Sequence, residues 1–263
     1  MRYPGGKTKL LSFLVSYLPK YIPGKYVEPF LGGGSVFLHV QPEEAIIADL
    51  NKELIELYKG IKDHPNKVWE IFESFPIGRK AYYEIRDKCH TNESLHYRAA
   101  RILYLNRTCF KGMWRHNPQG KFNVGYGGGG EGRRWAINCQ NIIELSDRFK
   151  NAQIIHADFN KTLSKCSDGD FIFLDPPYKP GEKEMREAHY INGRFSFDDQ
   201  KRLALRLTKL SHKKDIKWIM TNSSNAEICK LYSEFKIISI PQGTGSVVGV
   251  STSSPSEILI SNF

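Results

Sequence analysis

Seven short apolar runs, each followed by a polar or helical stretch, constrain this chain more than any other feature. They are "KYVEPF" (25–30), "EAIIAD" (44–49), "NAQIIHAD" (151–158), "GDFIFLD" (169–175), "IKWIMTN" (216–222), "EFKIISI" (234–240) and "SEILISNF" (256–263). Val, Ile and Phe dominate them, which suits pleated strands. Several are apolar on both faces, as a sheet covered by helices on both sides requires. Helical patterns follow at Thr8–Leu18, Asn51–Ile61, Ala136–Phe149, Phe197–Leu210 and Ala226–Leu231. Strand–helix alternation predicts an α/β fold with a largely parallel sheet and ligands at the carboxyl ends of its strands.

One region departs from the alternation. Residues 58–140 read as helices (Lys67–Phe75, Lys80–Cys89, Glu93–Arg107), then a β-hairpin over 112–124, then the glycine tract "GYGGGGEG". The expected organisation is therefore a discontinuous domain of residues 1–57 and 141–263, interrupted by a helical insertion carrying the hairpin. The turn "NPQG" (117–120) supplies the residue types that reverse a chain.

Net charge is +10, which favours an acidic partner, nucleic acid foremost. Between Arg101 and Trp135 lie seven Lys or Arg residues (101, 107, 111, 115, 121, 133, 134) against the single acid Glu131. Phe110, Trp114 and Phe122 are interleaved with them. Charge for phosphates and rings for stacking or wedging are what a groove-reading element needs. A solvated basic face is the plainer alternative. Five cysteines, with no CxxC pair, argue against a disulfide framework or zinc site and for a reducing cytoplasm. No apolar run reaches membrane-span length, and "LLSFLVSYL" (10–18) reads as a first core helix rather than a signal core. The histidines at 39, 90, 116, 156, 189 and 212 lack metal-ligand spacing, so no role and no metal are assigned.

Three stretches have the makings of a site. "VEPFLGGGSVFL" (27–38) is strand, glycine turn and helix, and Gly32, Gly33 and Gly34 allow a ligand to approach the backbone closely. It is not a P-loop, since Ser35-Val36 stands where Lys-Ser/Thr is needed. Asp49 closes the second strand 21 residues after Glu28, where a carboxylate can accept from ribose hydroxyls, or cap the helix that starts at Asn51. Asp158 ends the next strand and can meet an adenine amine or cap the turn at Asn160. "DPPY" (175–178) leaves an apolar strand through two prolines, which hold a stiff bend and present Asp175 and Tyr178. The physics of "RYPGGK" (2–7) alone points to no ligand.

In combination, "RYPGGK", "VEPFLGGGSVF", "ADLN", "LNRTCFKGMWRHNPQGKFNV", "DPPY" and "TNSS" stand in the order found in Dam-type DNA adenine-N6 methyltransferases of the D12 class. The resemblance spans nearly the whole chain. It implies a Rossmann-like S-adenosylmethionine-dependent sheet with an inserted helical target-recognition domain. It implies that Tyr3, Lys7, Glu28, Pro29, Phe30, Gly32, Gly33, Gly34, Ser35, Asp49, Leu50, Asp158, Phe159 and Asp175 line the S-adenosylmethionine site. Asp175, Pro176, Pro177 and Tyr178 would hold a flipped adenine. Acceptors at the Asp175 carboxylate and the Pro176 carbonyl would pull on both amine N–H bonds and aim the lone pair at the methyl group.

By the same resemblance, Arg107, Phe110, Lys111, Met113, Arg115, Asn117, Lys121, Asn123, Arg133 and Arg134 face double-stranded DNA. Arg115 would pair with a guanine, Phe110 would wedge, and Asn117 and Asn123 would fix the hairpin or touch phosphate. GATC is the expected site, although Lys111, Met113 and Gly125 stand where Asn, Leu and Pro are usual. The loop 243–254 also lacks the basic residues of many relatives. A monomer in a bacterial or phage-infected cytoplasm is expected, with no membrane association and with a separate restriction endonuclease as a partner the family admits. RNA adenine or protein glutamine methylation, and a DNA-binding relative without catalysis, stay open as alternatives.

Overall fold

All seven apolar runs form strands of one sheet. In the computed structural model, which describes residues 3, 6–117, 119–128, 137–178, 195–213, 215–241 and 257–263, they are β1 (Tyr26–Glu28), β2 (Ala45–Asp49), β3 (Ala152–His156), β4 (Phe171–Leu174), β5 (Lys217–Ser223), β6 (Lys236–Ser239) and β7 (Glu257–Ser261). Their order is β3-β2-β1-β4-β5-β7-β6. The first five are mutually parallel, and β7 runs antiparallel between β5 and β6. The winding reverses between β1 and β4, so the crevice above their carboxyl ends is where an open α/β sheet takes its ligand.

Alternate side chains feed two cores. Tyr26, Ile47, Phe171, Phe173 and Ile219 pack on one face. Val27, Ile46, Ile172, Leu174, Trp218 and Met220 pack on the other. The expected first helix is broken into a 3-10 turn at Lys7–Leu10, α1 (Leu11–Leu14) and a second 3-10 turn at Val15–Tyr17. The Ser16 hydroxyl donates to the Phe13 carbonyl at 2.8 Å, a local bond that competes with a regular helix. No helix among the described residues is long and apolar enough to cross a membrane.

The remaining helices are α2 (Ser35–Val40), α3 (Lys52–Asp63), α4 (Pro65–Ser74), α5 (Arg79–Asp87), α6 (Leu95–Thr108), α7 (Cys139–Phe149), α8 (Phe159–Leu163), α9 (Phe197–Lys213) and α10 (Ala226–Leu231). Each of α3, α6 and α7 starts on a side-chain cap, from Asn51, Ser94 and Asn138 respectively. Helix α6 is buried on every side from Ala99 to Asn106 and is the axis of the helical segment. Val68, Phe72, Tyr82 and Ala99 of that segment belong to the same apolar cluster as one sheet face, so the described residues of the segment share the sheet's core.

Arg101 does not join the basic face expected of it. It is 2% exposed, donates to the Ile85 and Arg86 carbonyls, and meets Glu53 at 3.5 Å. Its position within the enclosed Ala99–Asn106 stretch of α6 turns its charge inward, where three acceptors hold it.

Candidate active site

The glycine turn after β1 is built for close approach. Gly32 and Gly34 have φ of +47° and +65°, left-handed values that favour glycine, and Gly34 caps α2. A Cβ on Gly32 would lie 3.2 Å from the Tyr3 ring. The Tyr58 hydroxyl donates to the Gly32 carbonyl at 2.9 Å, and the Gly32 N–H donates to Asp49 Oδ2 at 2.9 Å. Asp49 Oδ1 accepts from Asn51 N–H at 2.8 Å. Burial raises the Asp49 carboxyl above its ordinary range, opposed by these N–H donors and by His156. A carboxylate has about four lone-pair sites, so both oxygens keep capacity for hydroxyl donors.

Glu28 lies beneath this turn at the end of β1 and is 2% exposed. The Tyr26 hydroxyl donates to its Oε2 at 2.7 Å. Burial pushes the carboxyl up to about 8 against that hydrogen bond, and the charges of Asp175 and Asp49 push the same way. An enclosed acid of this kind is poised to receive a cationic group, which would repay its ionisation. The half-buried Phe30 stacks on Phe159 at 5.6 Å, and Phe195 meets both rings edge-on. Phe159 itself is buried behind Phe30. Asp158 caps α8 through Asn160 N–H and pairs with Arg202 Nη2 at 3.1 Å, both bonds falling on Oδ1. Pro29 and Gly33 lie in the turn, while Leu50, exposed beside Asp49, offers its carbonyl to His156 Nε2 at 3.0 Å.

Across the winding reversal, β4 ends and the Asp175–Tyr178 bend begins. Lys7 Nζ, 6% exposed as a residue, meets Asp175 Oδ1 at 2.8 Å. The Thr221 hydroxyl donates to the same oxygen at 2.7 Å. The Lys7 ammonium also lies 4.9 Å from the Tyr178 ring centroid, covering one face of the ring. Burial, and then the charges of Asp175 and Glu257, raise the Tyr178 phenol well above its ordinary range. Ser35 Oγ accepts from Lys7 N–H at 3.1 Å, so Ser35 fixes the lysine backbone. The sequence places both Lys7 and Asp175 at the cofactor site without pairing them; the structure joins them as one ion pair.

The hairpin packs differently from the expectation that all its rings face DNA. Its arms pair at Cys109↔Tyr126 and His116↔Phe122, and Asn123 N–H donates to the Arg115 carbonyl at 3.1 Å. Trp114, His116, Phe122 and Val124 are buried, and Trp114 packs on Tyr3 at 5.5 Å. The period-2 alternation of those four residues was the available sign that they point inward. Phe110 is 50% exposed, and Lys111, Met113 and Lys121 are exposed with it. Lys111 has φ of +54° and its ammonium lies 5.3 Å from the Phe110 ring. Arg107 is half-buried on α6.

Asn117 Oδ1 accepts from the N–H groups of Gln119 and Lys121, which holds the turn. Arg115 donates through Nε and Nη2 to Asn123, so the Nε–Nη2 edge of its fork is anchored while Nη1 takes part in neither bond. Arg133, Arg134, the loop 243–254 and residues 129–132 of the glycine tract lie outside the described residues.

His116 of the hairpin and His90 of the α5–α6 loop, left without a role by spacing, both meet Glu53 on α3. His116 Nε2 meets Glu53 Oε2 at 2.7 Å and His90 lies 3.6 Å from Oε1, with Arg101 on the same carboxylate. Burial opposes ionisation of Glu53, but these three partners outweigh it and hold the carboxyl down at about 2. No cluster suited to a metal occurs among the described residues. Thr221, Gln200, Asn222, Glu257 and Arg202 also surround the crevice, and the sequence reading assigned none of them.

The geometry agrees with what is similar to this chain. The family model for D12 class N6 adenine-specific DNA methyltransferases matches residues 3–244. The type II methyltransferase M1.LlaDCHI of Lactococcus lactis subsp. cremoris is 33% identical, over 100% of this chain and 94% of that protein. The type II methyltransferase M.MjaIII of Methanocaldococcus jannaschii is 33% identical over 90% and 88% of the two chains. A DNA adenine methylase of Vibrio cholerae serotype O1 is 29% identical over 88% and 83%.

Proposed function

The chain belongs to the D12 class of N6 adenine-specific DNA methyltransferases, and on that premise we propose that its methyl donor is S-adenosylmethionine. The observation that carries this reading is the Lys7–Asp175 pair, since Lys7 N–H also donates to Ser35 Oγ next to the glycine turn. The residues suit the donor: Glu28 for the cationic amino-acid end, Asp49 for ribose hydroxyls, Phe30 and Asp158 for the adenine. Tyr3, Pro29, Gly33, Gly34, Leu50 and Phe159 shape the same cradle. When bound, the cofactor supplies an electrophilic methyl group on a sulfonium.

The chain's own residues do the rest. A duplex hides adenine N6, so the base is flipped into the crevice. Lys7 and Thr221 occupy Oδ1 of Asp175, which leaves Oδ2 and the Pro176 carbonyl to accept the two amine hydrogens. Two fixed acceptors make the nitrogen more pyramidal and orient its lone pair. Tyr178 offers the base its ring face opposite Lys7. The prolines keep the acceptors from relaxing.

We assign residues 58–140 to target recognition and residues 1–57 and 141–263 to chemistry. Phe110, Lys111, Met113, Arg115 and Lys121 form the described part of the DNA face, Asn117 and Asn123 brace it, and Arg107, Arg133 and Arg134 extend it. GATC is the proposed site, the protein acts as a cytoplasmic monomer, and the type II names of its relatives support a separate restriction endonuclease as partner.

Methyl-labelled S-adenosylmethionine offered with duplex DNA, RNA and a glutamine-bearing protein should label DNA adenine alone; label confined to RNA or protein sinks the reading. Arg115→Ala should cost about 1–3 kcal/mol on cognate DNA and little on random DNA. Lys121→Ala should weaken both alike and reduce the salt slope by about 1. Filter binding across a salt series separates the two, and a uniform loss from Arg115→Ala removes its base-reading role.

A further inference from the structure

The Asp175–Tyr178 bend has few points by which the protein can hold its backbone. Pro176 and Pro177 carry no N–H, so at these two positions only carbonyls remain as anchors. On the reading of the site given above, the Pro176 carbonyl must stay open for the target amine. The Pro177 carbonyl is therefore the anchor that does not compete with substrate, and its partner has to be a donor.

Gln200, 1% exposed on the first turn of α9, fills that position: its Nε2 donates to the Pro177 carbonyl at 3.0 Å. The orientation of its amide is set by a relay that begins at a group able only to donate. Ser223 N–H donates to Asn222 Oδ1 at 2.8 Å, which turns Asn222 Nδ2 toward Gln200 Oε1 at 3.2 Å. Gln200 Nε2 is then left facing the bend. Asn222 is fully buried at the end of β5, next to Thr221, which holds the Asp175 side chain.

The register of Gln200 is fixed too. Ser196 Oγ accepts from Asp199 N–H at 3.1 Å while Asp199 Oδ2 accepts from Ser196 N–H at 2.9 Å, a reciprocal cap on α9. Gln200 N–H bonds the Ser196 carbonyl at 3.1 Å, in the first turn of the helix.

We propose that Gln200, oriented by Asn222, is a positioning residue that holds the Pro177 carbonyl and so aims the Pro176 and Asp175 acceptors at one amine. It touches neither substrate nor cofactor. This inference rests on the reading of Asp175 and Pro176 as the amine acceptors.

The test uses the full chain, S-adenosylmethionine and the duplex that the wild-type protein methylates. Gln200→Met keeps the length of the side chain and removes the donor. Its kcat should fall about 10–100-fold, with KM for both substrates within about twofold of wild type. Asn222→Asp, which turns Gln200 Oε1 toward the bend, should give the same kcat loss with the same unchanged KM values. The double variant should be no slower than the slower single variant, because both act through one contact.

A folded Gln200→Met protein with wild-type kcat overturns the inference. So does a loss shared between kcat and cofactor KM, or additive losses in the double variant. Should Gln200→Met not fold, the kcat-against-KM split of Asn222→Asp decides alone. Failure of the wild-type protein to methylate DNA adenine would instead strike the reading of the site.

Discussion

Replacing Asp175 by asparagine is expected to lower kcat by about 10²–10³-fold while duplex affinity stays within about twofold. An asparagine can turn its oxygen toward Lys7 and Thr221, which now share Oδ1. Its amide nitrogen would then face the target amine, donor against donor, and one of the two acceptors is lost. Asp175→Ala should be as slow and also less stable. It leaves the Lys7 ammonium, 6% exposed, without its carboxylate. Removing one member of a buried ion pair is destabilising, so thermal denaturation should separate the two variants where methyl-transfer rates do not. Near wild-type turnover by Asp175→Asn would remove the acceptor role.

The second large effect concerns pH and Glu28. Its carboxyl titrates at about 8 in the folded chain against 4.5 as its ordinary value. Between those values the folded protein holds a proton that the unfolded chain has released. Raising pH through this window therefore weakens the folded state, by on the order of 5 kcal/mol once pH passes 8. The melting temperature of the ligand-free protein should fall by on the order of 10 °C between pH 5 and 9 from this group. Glu28→Gln should flatten that part of the curve. Binding of a cofactor with an ammonium group at neutral pH should release about one proton, seen calorimetrically in buffers of different ionisation enthalpy. A Glu28→Gln melting profile that keeps the wild-type slope would assign the effect elsewhere.

The parts of this fold that repeat along the chain were legible in it. Short apolar runs predicted all seven strands, and those apolar on both faces, such as Phe171 to Leu174, bury alternately into two cores. Proline and glycine chemistry marked the bend at Asp175 and the turn at Gly32, since those backbone shapes admit few residues. What escaped were contacts between side chains far apart in sequence. Gln200 on Pro177, Thr221 on Asp175 and His116 on Glu53 leave no period behind them. The first helix escaped for the opposite reason, because a periodic apolar pattern hid the 3-10 turns around α1. Trp114 counts in the sequence among rings for stacking or wedging because its basic neighbours suggest a nucleic-acid face, yet its place in an alternating arm beside Tyr3 puts it inside.

Strands β2 and β3 lie side by side in register, yet Asp49 and Ala152 are separated by α3 to α7 and the hairpin. The entropic penalty for closing such an excursion grows only logarithmically, about 0.6 kcal/mol for each doubling of its length. The interval between two neighbouring strands is thus the place where this architecture tolerates growth, shrinkage or wholesale exchange of chain with the least strain on the sheet. If residues 58–140 recognise the target as proposed, a lineage could rewrite which bases it reads there while the methylation chemistry descends unaltered.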